Sequence, residues 1–190
     1  MDGSLYARGA IPGAYCQGES RVKTLGLLCL VLCGLVASAV AQEEGGPADL
    51  VNEPAIEFEE VDLDGNIVRL SDLTGKVVLI NFWGVWCISC RQEIPELIAL
   101  DQQWRDRGLV ILGADYGDEP KTLPPFVEEF GMSYPVLLDD GLAERYSVIV
   151  FPTSILIDRS GRLRLRVEGY LPERFETMTD AIEQLLDDGP

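Results

Sequence analysis

The chain has 190 residues, enough for one domain with a sizeable core plus an extension. It carries 15 Lys+Arg against 32 Asp+Glu, a formal charge of −17, which argues against nucleic acid or an anionic membrane surface as partner. With 5 cysteines and no histidine, it is excluded from zinc sites that need imidazole and from covalent haem attachment, where Arg91 follows the second cysteine of the only Cys-x-x-Cys.

Residues 1–41 read as an N-terminal extension and signal peptide. Arg21 and Lys23 precede the apolar run Leu25–Val36, and Ala39-Val40-Ala41 supplies a small-x-small cleavage point before Gln42. The apolar run is short for a bilayer span, so cleavage is expected, with an uncleaved membrane tether as the alternative. Cys33 follows Leu30-Val31-Leu32 rather than a small residue, which disfavours lipidation. Residues 1–20 are long and aperiodic for a signal n-region, and suggest a true start at Val22. Cleavage after Ala41 would leave Cys87 and Cys90 as the only cysteines. That is a domain with one reactive dithiol in an oxidising, extracytoplasmic space such as the periplasm, not a disulfide-stapled scaffold.

Residues 42–52 are acidic and contain Gly, and read as a flexible leader; residues 53–190 form one domain. Ile56, Phe58 and Val61 suggest a strand, Asp64-Gly65 a hairpin turn, and Ile67–Leu70 the return. Ser71-Asp72-Leu73 begins a short helical turn stopped by Gly75. Val77–Phe82 is continuously apolar, as expected of a central strand covered on both faces. Cys87 to about Arg107 reads as a helix with Ile94, Leu97, Ile98 and Trp104 on its apolar stripe, kinked at Pro95 and ended by Gly108.

Leu109–Ala114 is the next buried strand, followed by a polar loop over residues 115–120. Leu123–Phe130 is a helix opened by Pro124-Pro125 and closed by Gly131. A short strand over residues 134–138, a helical segment over 141–146, a strand pair at 153–157 and 163–167, and an amphipathic helix over 172–186 complete the chain. This pattern gives the α/β class, a mixed central sheet with helices on both faces.

Trp86-Cys87-Ile88-Ser89-Cys90 sits where the central strand gives way to a helix. Unpaired N–H groups at the helix start favour a thiolate at Cys87, and the spacing lets Cys90 close a disulfide with it across one turn. Cys87, at the helix start, is the expected nucleophile. A Cys₄ zinc site fails because Cys16, Cys29 and Cys33 lie in or before the targeting segment. A structural disulfide across so short a loop gains little chain entropy. A Cu(I)-binding or client-binding dithiol stays open as a different class of function, weakly supported by an acidic chain with 3 methionines.

Several separated features resemble the thioredoxin fold, and within it the extracytoplasmic TlpA/ResA-type branch. They are Gly75–Trp83 ahead of the cysteines, Arg91-Gln-Glu-Ile-Pro95 after them, Phe151-Pro152-Thr153 heading a strand, and Val167-Glu-Gly169 closing a hairpin. The likeness covers most of residues 54–186. It implies a thioredoxin fold with an N-terminal β-hairpin and an inserted helix near Leu123–Phe130. It also implies a cis Pro152 beside the dithiol, with Phe151 and Trp86 in the client-binding surface, and a buried Glu93 that exchanges a proton with Cys90.

Asn81 stands where plain thioredoxins carry a buried aspartate, leaving Glu93 as the evident ionisable candidate. The dipeptide Ile88-Ser89 departs from relatives, which commonly have proline before the second cysteine. The resemblance further implies a protein disulfide reductase whose only redox group is the Cys87–Cys90 disulfide, with no cofactor or metal. Its clients would be apocytochrome c or copper-site assembly proteins, and its electron donor a membrane thiol-transfer protein; a disulfide-donating oxidase is the alternative. Peroxiredoxins share this architecture, and Tyr134–Asp139 would suit one. They place threonine or serine three residues before their reactive cysteine, where this chain has Gly84.

Overall fold

The computed structural model describes residues 48–188, so the expected signal peptide lies outside them. Eight strands form one sheet among the described residues: β1 (Ala48–Pro54), β2 (Glu59–Asp62), β3 (Ile67–Arg69), β4 (Val77–Trp83), β5 (Leu109–Asp115), β6 (Val136–Leu138), β7 (Thr153–Ile157) and β8 (Arg162–Glu168). Their order is β1-β8-β7-β4-β5-β6-β2-β3. β4, β5 and β6 run parallel and every other pairing is antiparallel, so the sheet is mixed as expected. The helices are α1 (Ile88–Trp104), α2 (Leu123–Phe130), α3 (Leu142–Arg145) and α4 (Pro172–Asp187).

β4 organises the core because all seven of its residues are buried. Alternation along the strand divides them between two layers. Val77, Leu79 and Trp83 join Ile94, Leu97 and Trp104 of α1, Phe126 of α2 and Met178 and Ile182 of α4. Val78, Ile80 and Phe82 face the other way, into Leu112, Ala114, Leu142 and Tyr146. A continuous apolar run is the signature of such a doubly covered parallel strand.

Three local expectations are revised. Residues 48–52, expected in the leader, form the edge strand β1 on β8, with Leu50 opposite Leu165; backbone pairing to an open edge needs no apolar pattern. The second strand starts at Glu59, leaving Ile56 and Phe58 outside it, and its alternation is inverted. Glu60 and Asp62 are buried while Val61 is exposed. Both carboxylates are satisfied: Glu60 pairs with Arg145 at 2.7 Å, and Asp62 accepts the N–H groups of Asp64 (3.0 Å) and Asn66 (2.7 Å) across the hairpin turn. The helix expected from Cys87 to about Arg107 is present: α1 runs through Pro95 to Trp104 and passes at Arg105 into a 3₁₀ turn closed by Gly108, whose φ of 101° only glycine adopts freely. The strand expected from Tyr134 begins only at Val136.

Gly113 of β5 lies under Trp83. A Cβ there would stand 2.9 Å from Trp83 Nε1 and 3.1 Å from the Tyr134 ring, inside a packed layer. Gly113→Ala is expected to destabilise the domain by about 1–3 kcal/mol, read as a lower urea midpoint with an unchanged slope.

Candidate active site

β4 ends at Trp83 and α1 begins at Ile88, so the four residues between them carry the chain from the buried sheet to the helix start. Gly84 is required there, since a Cβ would approach Trp86 Nε1 to 2.5 Å. Cys87 is the N-cap of α1, and its sulfur accepts the Cys90 N–H at 3.2 Å. The two cysteines form a disulfide with Cα atoms 5.3 Å apart, and both are buried, Cys87 at 5% and Cys90 at 1% exposure. Cys87 is thus the more accessible sulfur at the positive end of a 17-residue helix.

Beneath the disulfide, Asn81 is the one polar side chain of β4, and alternation points it toward α1. Its Nδ2 donates to Glu93 Oε2 at 2.8 Å and to Ser154 Oγ of β7 at 2.9 Å. Glu93 lies one turn beyond Cys90, on the same helix, and is buried. Burial pushes its carboxyl up to about 7; the Asn81 hydrogen bond opposes this and the charge of Glu96 adds to it. A group poised there can take or give a proton near neutrality.

Beside the disulfide, the Phe151–Pro152 peptide bond is cis, as expected. Ser89 Oγ donates to the Phe151 carbonyl at 3.3 Å and lies 3.5 Å from Cys87 Sγ. The Phe151 ring meets Trp86 edge-on at 5.3 Å and stacks on Tyr116 at 4.9 Å. Trp86 is 56% exposed and donates its Nε1–H to the Tyr116 carbonyl at 3.2 Å. Trp83, the other flanking tryptophan, is fully buried and stacks on Phe126 at 5.2 Å.

The structure therefore brings all six sequence candidates, Trp86, Cys87, Cys90, Glu93, Phe151 and Pro152, to one end of the sheet. Sequence reasoning noted Ser89 only as part of the dipeptide between the cysteines and passed over Tyr116 and two carboxyls, Asp115 and Asp118, all in or against this site. Asp115 is buried at the end of β5, level with Trp83, and Asp118 accepts the Val85 N–H at 2.6 Å. The available signal was an acidic residue directly after a buried strand parallel to the one carrying the cysteines.

Known proteins resemble this chain in sequence and fold. A model of the AhpC/TSA family matches residues 51–166. The thiol-disulfide oxidoreductase ResA of Bacillus thuringiensis subsp. konkukian is 31% identical over 147 residues, spanning 75% of this chain and 85% of that protein. The chain belongs to the thioredoxin-like AhpC/TSA family, among the ResA-type thiol-disulfide oxidoreductases. ResA of Geobacillus kaustophilus is 36% identical over 121 residues, covering 63% of this chain and 70% of that one. A thiol:disulfide interchange protein of the thioredoxin family from Chlorobium tepidum superposes with a TM-score of 0.62 at 26% identity, over 73% of this chain and 99% of that structure. In this chain the Trp86 ring occupies the space beside Gly84, so the hydroxyl side chain that peroxiredoxins carry three residues before their reactive cysteine would have to displace that ring.

Ionising Glu93 is harder in the fold than in the unfolded chain. Stability is therefore full below the ordinary glutamate range and is lost as pH rises through about 7. Glu93→Gln should remove that loss, raising stability at pH 8 by up to about 3 kcal/mol over the parent while leaving stability at pH 4 little changed, as measured by urea unfolding of the oxidised protein.

Proposed function

We propose that this protein reduces protein disulfides outside the cytoplasm, with Cys87 as nucleophile, Cys90 as resolving thiol and Glu93 as its proton partner. The observation that carries this reading is the Cys87–Cys90 disulfide at the start of α1, backed by a buried carboxyl pushed up to about 7. In the reduced protein, the Cys87 thiolate attacks one sulfur of a client disulfide. That bond breaks, a mixed disulfide forms, and the displaced client thiolate takes a proton. Cys90 then gives its proton to the Glu93 carboxylate and attacks Cys87 Sγ. The second client thiolate leaves, the client has gained two electrons, and the Cys87–Cys90 disulfide is restored.

Client binding falls to the Trp86–Phe151 wall. The backbone at Phe151, next to the disulfide, suits pairing with an extended client segment. Apocytochrome c and copper-site assembly proteins are the proposed clients, and a membrane thiol-transfer protein the proposed donor. The signal-like segment ahead of Gln42 supports an extracytoplasmic location.

Cys90→Ala should accumulate mixed disulfides through Cys87 that dithiothreitol releases, whereas Cys87→Ala should trap none. A Cu(I)-binding dithiol would instead lose metal in both variants and trap no client. The potential of the pair, equilibrated against glutathione or dithiothreitol, should fall near the thioredoxin value of roughly −270 mV; a value near −120 mV would make the protein a disulfide donor.

A further inference from the structure

Asp115 has no role in the exchange just described, yet its surroundings are unusual for a carboxyl. It is 3% exposed at the end of β5, and its Oδ1 has no hydrogen-bond partner. Burial, the neighbouring Asp118 side chain and its charge hold the Asp115 carboxyl well above the usual aspartate range, and the Asp118 backbone N–H opposes them only in part. An ionised Asp115 would be a buried charge with one bare oxygen beside a second carboxylate, an arrangement costing several kcal/mol. A neutral Asp115 carries a hydroxyl that Asp118 can accept.

Asp118 in turn holds the stretch that leads into Cys87. Its Oδ2 accepts the Val85 N–H at 2.6 Å, while Arg91 of α1 donates to the Val85 carbonyl at 3.1 Å. Two further bonds join the same segments: the Tyr116 N–H to the Trp83 carbonyl at 2.8 Å, and Trp86 Nε1–H to the Tyr116 carbonyl at 3.2 Å. The Tyr116 ring supports Phe151 from the other side. One turn, residues 116–118, therefore touches both walls of the site.

We propose that Asp115 is a positioning residue: kept neutral, it donates its proton to Asp118 and so clasps the 116–118 turn against the segment that seats Trp86 and Cys87. Ionisation of Asp115 opens the clasp, because the two carboxylates then repel with no proton between them. The ionisable groups acting on Asp115 are Asp118 from its own loop and Asp139 from beyond β6, both negative. Asp139 is itself engaged at the start of α3, accepting from Leu142 N at 2.5 Å and Ala143 N at 3.2 Å. Further along the loop, Glu119 and Lys121 pair with one another.

The test uses the full chain in its oxidised form, where neither cysteine titrates. Tryptophan fluorescence is followed from about pH 5 to pH 10, with Trp86→Phe identifying the Trp86 signal. The parent should show a Trp86 step that Asp115→Asn abolishes, because an amide donates to Asp118 at every pH. Asp118→Asn, which removes the neighbouring charge, should move the step to lower pH. Glu93→Gln should leave this step in place. The rate at which a phosphine reduces the disulfide, taken as the ratio of parent to Asp115→Asn, should rise across the same step as Cys87 is uncovered. Superimposable pH profiles for the parent and Asp115→Asn would overturn the proposal, as would an unshifted step in Asp118→Asn. These readings need no client, so they stand apart from the direction of electron flow.

Discussion

The burial of β4 on both faces is the constraint from which the active end follows. A strand with no solvent face cannot carry a polar side chain unless that group finds its partners inside. Asn81 meets this condition through its amide nitrogen alone, donating to Glu93 on one side and Ser154 on the other while its Oδ1 has no partner, which fixes α1 and β7 to the strand at one point beneath the disulfide. The same burial forces the chain to climb out of the sheet within the few residues after Trp83. That short climb is held by Asp118, Arg91 and Tyr116 rather than by regular structure. The reactive sulfur is thereby placed by neighbours from β5, α1 and the loop before β7 as much as by its own helix.

Two carboxyls flank the dithiol, and both are displaced toward their neutral forms for the same first reason, loss of water. Their partners differ. For Glu93 the Asn81 amide partly restores the charged state against Glu96, whereas for Asp115 the Asp118 side chain presses toward neutrality more than the Asp118 backbone N–H restores. A chain with 32 acidic residues thus uses a few of them where the surroundings, not the count, decide what they do.

Much of this was legible because the dominant signals are local. A doubly buried strand, a helix start marked by Cys-x-x-Cys, and glycine at positive φ each announce themselves in a few residues. Leu123–Phe130 and Thr153–Ile157 have the expected bounds. What escaped was set by tertiary partners. β1 exists because β8 offers an open edge, and β2 turns its carboxylates inward because Arg145 and a backbone turn await them. Asp115 looked like the first residue of a polar loop; only its register opposite Trp83 reveals that it is inside. Glu93 was found by family likeness, since nothing in the helical period separates a buried glutamate from a solvated one.

The edge strand β1 also determines where the polypeptide enters the domain. Ala48 pairs with Val167, Val167 with Ser154, and Ser154 with Asn81, so the strand begins at the sheet end that bears the disulfide. Three inter-strand spacings, roughly 14 Å, separate that entry point from β4. The first described strand therefore opens at the end of the sheet that carries the reactive sulfurs, so the edge of the sheet and the dithiol share one face of the domain and a client approaching the disulfide meets the start of β1 on the same side.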